Sequence, residues 1–154
     1  MLTDRTLVSL LTGEYRNTLD DKGRIMFPVK LRSGLDDSML ILTRGIDRCL
    51  WLFSPVQWKE LSSKIMETAS PFQSQSRSVL RRLVAPAQEV EIDKSGRISI
   101  PQSLREFAGL EKECVILGIN KYFELWDSKE YDSYLGESEE DFREATEGLG
   151  NICL

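Results

Sequence analysis

Two short segments of this 154-residue chain carry the same residue types at the same spacing: Asp20-Asp21-Lys22-Gly23-Arg24 and Asp93-Lys94-Ser95-Gly96-Arg97. In each, the Asp can accept backbone N–H bonds and cap its own turn. The Gly supplies a positive φ at the end of the turn, and the Arg leaves on the first residue of the returning strand. Lys22 and Lys94 sit within the tips, one place apart in the two turns. Two chemistries are open to such a pair. In one, Asp and Arg make an ion pair that tidies a surface hairpin, worth about 0–1 kcal/mol. In the other, a paired β-ribbon presents two Arg and two Lys to a duplex groove. An Arg can bond guanine O6 and N7 in bidentate fashion, for about 1–3 kcal/mol of discrimination, while Lys meets phosphate. The Asp would then orient the Arg and keep it from collapsing onto another carboxylate.

The turns belong to a longer repeat. Leu19 to Arg32 matches Ile92 to Arg105 at an offset of 73, with Asp, Gly, Arg, Ile, Pro, Leu and Arg identical at seven places. Leu50-Trp51-Leu52-Phe53-Ser54 aligns with Phe123-Glu124-Leu125-Trp126-Asp127 at the same offset, and Trp58 with Tyr131. Two copies are too few for a solenoid. They predict two half-domains related by a pseudo-two-fold axis, burying one common core.

Each unit reads alike. Val90 and Ile92, then Ile98 and Ile100, alternate on either side of the polar turn, which predicts a β-hairpin. Pro28 and Pro101 mark the first position of short helices, where a missing N–H costs nothing. Leu104, Phe107 and Ala108 give the second of these its apolar face, and Gly109 its stop. A further strand pair follows in each unit: Met39 to Leu42 with Leu50 to Phe53, and Cys114 to Leu117 with Tyr122 to Trp126.

Helical segments connect and follow these strands. Ser54-Pro55 opens a helix with Trp58, Leu61 and Ile65 on one face, and Ser70-Pro71 a second with Phe72, Val79, Leu80 and Leu83, ended by Pro86. Ser138-Glu139-Glu140-Asp141 opens an acidic amphipathic helix carrying Phe142 and Ala145. The tail from Gly148 is expected to be loose. The expected organisation is a first half-repeat over 13–68, a connecting helix over 69–86, a second half-repeat over 87–135, and an acidic C-terminal helix and tail over 136–154. The fold class is mainly β with helices, α+β.

Composition narrows the function. The net charge is −5, but residues 1–105 hold 16 Lys/Arg against 12 Asp/Glu, and residues 106–154 hold 4 against 13. Only local charge matters to a phosphate a Debye length away, so the acidic last third does not exclude nucleic acid. It reads as a solvated outer face, with a subunit contact or a modulator of DNA access as the alternatives. There is no histidine, which removes Ser-His-Asp and Cys-His nucleophiles and every His-containing zinc site. Cys49, Cys114 and Cys153 are scattered, as reduced thiols of an intracellular protein would be. Paired carboxylates such as Asp36-Asp37 and Glu139-Glu140 are sequence neighbours whose side chains point apart. The expectation is no catalytic residue, no metal, no cofactor and no small-molecule substrate. The apolar run Leu7-Val8-Ser9-Leu10-Leu11 is short and preceded by Asp4 and Arg5, so no signal peptide or membrane span is expected. Trp51, Trp58 and Trp126 fall in apolar runs away from the basic turns and read as core or interface aromatics.

These motifs resemble the MraZ family of bacterial transcription factors, related in fold to the AbrB and SpoVT DNA-binding domains. The matching residues are Gly13-Glu14-Tyr15 before Leu19-Asp20-Asp21-Lys22-Gly23-Arg24, then Pro28 with Leu31-Arg32. In the second half they are Asp93 to Arg97, Ile100-Pro101, Leu104-Arg105, Ala108-Gly109-Leu110 and Phe123 to Asp127. The resemblance covers about residues 13 to 135. It implies a double-split β-barrel of two AbrB-like half-repeats, assembled into a ring-shaped homo-oligomer. It further implies binding of double-stranded DNA at G-rich direct repeats in the promoter of the division and cell-wall gene cluster, by a cytoplasmic, nucleoid-associated regulator. The DNA-binding residues it implies are Asp20, Lys22, Gly23, Arg24, Asp93, Lys94, Gly96 and Arg97. A different class, an antitoxin-like or scaffold protein-interaction module on the same barrel, would use the helical insert or acidic tail to cover a partner.

Overall fold

The computed structural model describes residues 11–150. The first half holds β1 (Thr12–Thr18), β2 (Arg24–Met26), α1 (Val29–Arg32), β3 (Met39–Arg44), β4 (Leu50–Phe53) and α2 (Pro55–Thr68). α3 (Ser74–Val79) and a π-helical turn (Leu80–Val84) lead to the second half. That half repeats the order with β5 (Gln88–Glu91), β6 (Arg97–Ser99), α4 (Gln102–Ala108), β7 (Glu113–Ile119), β8 (Phe123–Asp127) and α5 (Ser128–Glu137). An additional helix, α6 (Glu139–Gly148), follows. The chain is α+β, as the repeat predicts. The run before Leu11, and the tail from Asn151 with Cys153, lie outside the described residues.

Six strands form one antiparallel sheet in the order β1-β7-β8-β4-β3-β5, and β2 pairs with β6 in a separate two-stranded ribbon. Exchanging the halves turns this order into its own reverse. Each half therefore lends its first strand to the other: β1 pairs with β7, and β5 with β3. The axis passes between equivalent residues. Ile25 lies opposite Ile98 in the ribbon, and Trp51 opposite Glu124 between β4 and β8. In the third strand the match shifts by one, the buried Leu40 to Thr43 corresponding to Cys114 to Leu117. The second half has one residue more before β7 and one fewer before β8, so both registers are kept.

The structure corrects the expected hairpins. The two arms of each turn do not pair with one another; one joins the sheet and the other the ribbon. The alternation of Val90, Ile92, Ile98 and Ile100 reports which face of each arm is buried, and says nothing about which strand lies alongside. Nor do the ladders run round into one closed ring. The expected barrel is a sheet and a ribbon, and Phe27 N–H to the Gly96 carbonyl (2.9 Å) and Ile100 N–H to the Gly23 carbonyl (2.8 Å) extend the ribbon's pairing of the two halves by one residue pair at each end. Between them lies the core, where Ile25, Phe27, Leu31, Ile98, Ile100 and Leu104 meet the inward residues of the sheet. Phe27 sets its ring edge-on to Phe123 at 5.4 Å, a favoured aromatic geometry.

Several helix starts also differ from expectation. Pro28 and Pro101 stand at the caps, one residue before the helices they precede. Ser70 does not open a helix: its hydroxyl accepts from Phe72 N–H at 3.3 Å, and α3 starts at Ser74 behind Gln73. A Ser that bonds its own local backbone competes with the helix it could cap. Ser54 caps α2 as read, accepting from Gln57 N–H, and Asp127 at the equivalent place caps α5 by accepting from Glu130 N–H. Ser138 precedes α6, but its hydroxyl donates back to the Tyr134 carbonyl instead of capping. Gly109 ends α4 in the left-handed region at φ 63°. Every residue of α6 is exposed.

Candidate nucleic-acid interface

The repeated identities converge on the two turns that join sheet to ribbon. In the first, Asp20 Oδ1 accepts the N–H of Lys22 (2.9 Å) and of Arg24 (2.8 Å). Asp20 N–H bonds the Arg24 carbonyl, and Gly23 N–H the Asp20 carbonyl. The second turn repeats this pattern. Asp93 Oδ1 accepts from Ser95 N–H (2.8 Å) and Arg97 N–H (3.0 Å). Gly23 and Gly96 take φ values of 77° and 87°, where a side chain would be strained. The backbone N–H of Arg24, then its side chain and Lys22 N–H, hold the Asp20 carboxyl below the ordinary aspartate range. Arg97 and Ser95 N–H groups act the same way on Asp93. Each Asp is thus the anionic pin of its own turn.

The turns differ in the arginine. Arg24 Nε donates to Asp20 Oδ2 at 2.9 Å, whereas Arg97 Nε lies 3.4 Å from Asp93 Oδ2 and makes no hydrogen bond. Both arginines sit on the outer face of the ribbon, since Ile25 and Ile98 between them face the core. In register, Arg24 stands opposite Ser99 and Arg97 opposite Met26. The two arginines are therefore two strand residues apart, about 7 Å along the ribbon. That is about two base steps of a duplex. Lys22 and Lys94 are exposed at the tips.

Of the residues read as a site, Asp20, Lys22, Gly23 and Arg24 fall together on one turn, and Asp93, Lys94, Gly96 and Arg97 on the other. The axis brings the two sets to one ribbon. Two further cations, Arg32 and Arg105, were legible as the last of the seven repeated identities and among the residues of the resemblance, but not as part of the site. Each crosses to the other half. The Arg105 guanidinium occupies the space a Cβ on Gly23 would fill, and Arg32 Nη1 lies 2.6 Å from the equivalent place on Gly96. Arg105 also donates to the Ile100 carbonyl at 2.8 Å.

Elsewhere the chemistry is structural. Glu124 accepts from both the Trp51 and the Trp126 indole N–H at 3.0 Å, so these rings are engaged at the axis on β4 and β8, not at the turns. Trp58 packs on Phe53 at 5.4 Å, and Tyr131 on Trp126 at 5.3 Å, as α2 and α5 cover equivalent strands. Burial pushes the Cys114 thiol up to about 12 and raises Cys49 as well, leaving both without thiolate character at neutral pH. Among the described residues, no group of three acidic, Cys or His side chains could hold a metal ion. No helix there is long and apolar enough to cross a membrane.

Comparison with known proteins adds family membership. The profile of a family described as "MraZ protein, putative antitoxin-like" matches twice, over residues 10–82 and 83–150. The transcriptional regulator MraZ of Treponema denticola is 63% identical over 142 residues, covering 92% of this chain and 99% of that protein. The protein of the same name from Treponema pallidum is 54% identical over 143 residues, covering 93% and 96%. That of Halothermothrix orenii is 43% identical over 145 residues, covering 92% and 99%. With both halves matched and the turns, ribbon and exchanged strands in place, the chain belongs to the MraZ family.

Proposed function

We propose that this protein is a transcriptional regulator that binds double-stranded DNA sequence-specifically, with Arg24 and Arg97 reading base edges and Lys22 and Lys94 meeting phosphate. The observation that carries this reading is the pair of Asp-pinned arginines on the outer face of one ribbon, about two base steps apart. Asp20 and Asp93 fix the turns, and both arginines stand half-buried on the ribbon's outer face. Gly23 and Gly96 give each turn its left-handed residue and leave room for the crossing arginines Arg105 and Arg32. The names of the relatives support regulation of transcription.

The finer reading follows the family resemblance: G-rich direct repeats in the promoter of the division and cell-wall genes, and a ring-shaped homo-oligomer in the cytoplasm, on the nucleoid. A ring of head-to-tail contacts suits direct repeats, whereas an isolated two-fold dimer suits a palindrome. A second reading, a protein-interaction module, is favoured by the exposed Leu135 and Phe142 beside Glu139 and Asp141 on the α5–α6 surface.

A salt-titrated binding assay separates them. Purified protein meets the duplex upstream of its own gene, and a scrambled duplex alongside. Steep salt dependence with clear preference for the native duplex is expected. Equal, weak binding to both would contradict the DNA-reading role and favour the protein-interaction module.

A further inference from the structure

Arg32 belongs by sequence to the first half, at the end of α1, yet it lies against the second half's turn. Its Nη1 sits beside Gly96, whose carbonyl in turn holds Phe27 N–H of the first half. Gly96 is buried, while Arg32 is exposed and, among the described residues, pairs with no carboxylate. Its equivalent, Arg105, crosses the other way but is half-buried and bound to the Ile100 carbonyl. One crossing arginine is thus committed to protein, and the other presents an uncommitted guanidinium beside Gly96, in the turn that also carries Lys94 and Arg97.

We propose that Arg32 is a DNA-backbone contact supplied in trans to the second turn, completing a phosphate clamp with Lys94. This rests on the DNA-reading function proposed above. An Arg with no internal acceptor is matched by an anionic oxygen, and the fork of a guanidinium fits phosphate. Arg32 itself lies over the buried turn glycine and is exposed, so its guanidinium is what a duplex backbone would meet at this turn. Arg105 has the complementary task of seating the first turn. The two turns are then unlike in where their charge comes from: the second borrows a cation from the opposite half.

The test is a set of salt titrations and double-mutant cycles on the full chain with its native upstream duplex. Arg32→Ala is expected to weaken specific and scrambled binding together and to lower the log–log salt slope by about one. Coupling is expected with the second turn only. Arg32→Ala with Lys94→Ala should depart from additivity by more than about threefold, whereas Arg32→Ala with Lys22→Ala should multiply to within about twofold. Arg32→Gln, which keeps length without charge, should behave as Arg32→Ala, and both should unfold at the wild-type temperature. An unchanged slope in both variants, or coupling to Lys22 in place of Lys94, would overturn the inference while the wild type still discriminates. A wild type that neither discriminates nor responds to salt would overturn the proposed function and this inference with it.

Discussion

The two turns share five-residue spacing, an Asp pin and a left-handed Gly, and they differ in how the arginine is held. Arg24 is fixed to Asp20 Oδ2 at 2.9 Å, while Arg97 stands 3.4 Å from Asp93 Oδ2 with its Nε unbonded. The backbone bonds to the carboxylates are nearly identical, so the pin is not what separates the turns. The setting differs as well. Arg105 is anchored where it covers Gly23, and Arg32 is not anchored where it covers Gly96. The first turn is the more preorganised of the two, and a preorganised group loses less on binding. The comparison teaches that a pseudo-two-fold fold can carry two turns of unequal stiffness.

The symmetry itself can be tested first, where the effect is largest. Ile25 and Ile98 are equivalent, buried and face one another on the axis. Ile25→Ala and Ile98→Ala should each cost about 2–5 kcal/mol, and by similar amounts, in urea unfolding. Costs that differ severalfold would break the equivalence. The glycines come next. Gly96→Ala should cost about 1–2 kcal/mol from its positive φ, because the exposed Arg32 can swing aside. Gly23→Ala should cost more, since its Cβ meets Arg105, which is tied to Ile100. The reverse order would contradict the assigned anchoring.

Smaller effects sharpen the picture. Lys22→Ala should weaken specific and non-specific binding alike and lower the salt slope by about one, with stability changed by less than about 0.5 kcal/mol. The carboxylates set a pH dependence. The Asp20 and Asp93 carboxyls are held low in the folded state. Their contribution is therefore fully present above the ordinary aspartate value of about 3.9 and is lost as pH falls through the lower folded values. The stability difference between wild type and Asp20→Asn should persist from neutral pH to about 4 and close below it. A difference that closed between pH 5 and 7 would contradict the sign.

Much of this was legible in the residues. The 73-residue offset of Asp20–Arg24 and Asp93–Arg97 gave the halves, and the same offset gave the axial pair Ile25 and Ile98. Exchange of β1 and β5 was not legible, because an alternating pattern encodes a buried face and not a neighbouring strand. Arg32 and Arg105 were visible as repeated residues, but their crossing to the opposite turn depends on the ribbon joining the halves. The helix expected to open at Ser70 starts at Ser74 instead, because the Ser70 hydroxyl satisfies its own local backbone. Asp127 as the cap of α5 was within reach of the alignment with Ser54.

The most direct test of the central claim compares wild type, Arg24→Ala, Arg97→Ala and the double variant for the ratio of affinities on native and scrambled duplexes at moderate salt. Each single variant is expected to lose about 1–3 kcal/mol of discrimination, Arg24→Ala the more, with all four proteins equally folded. The double variant should bind both duplexes alike. A double variant that still prefers the native duplex as strongly as wild type would show that the turns do not read the sequence.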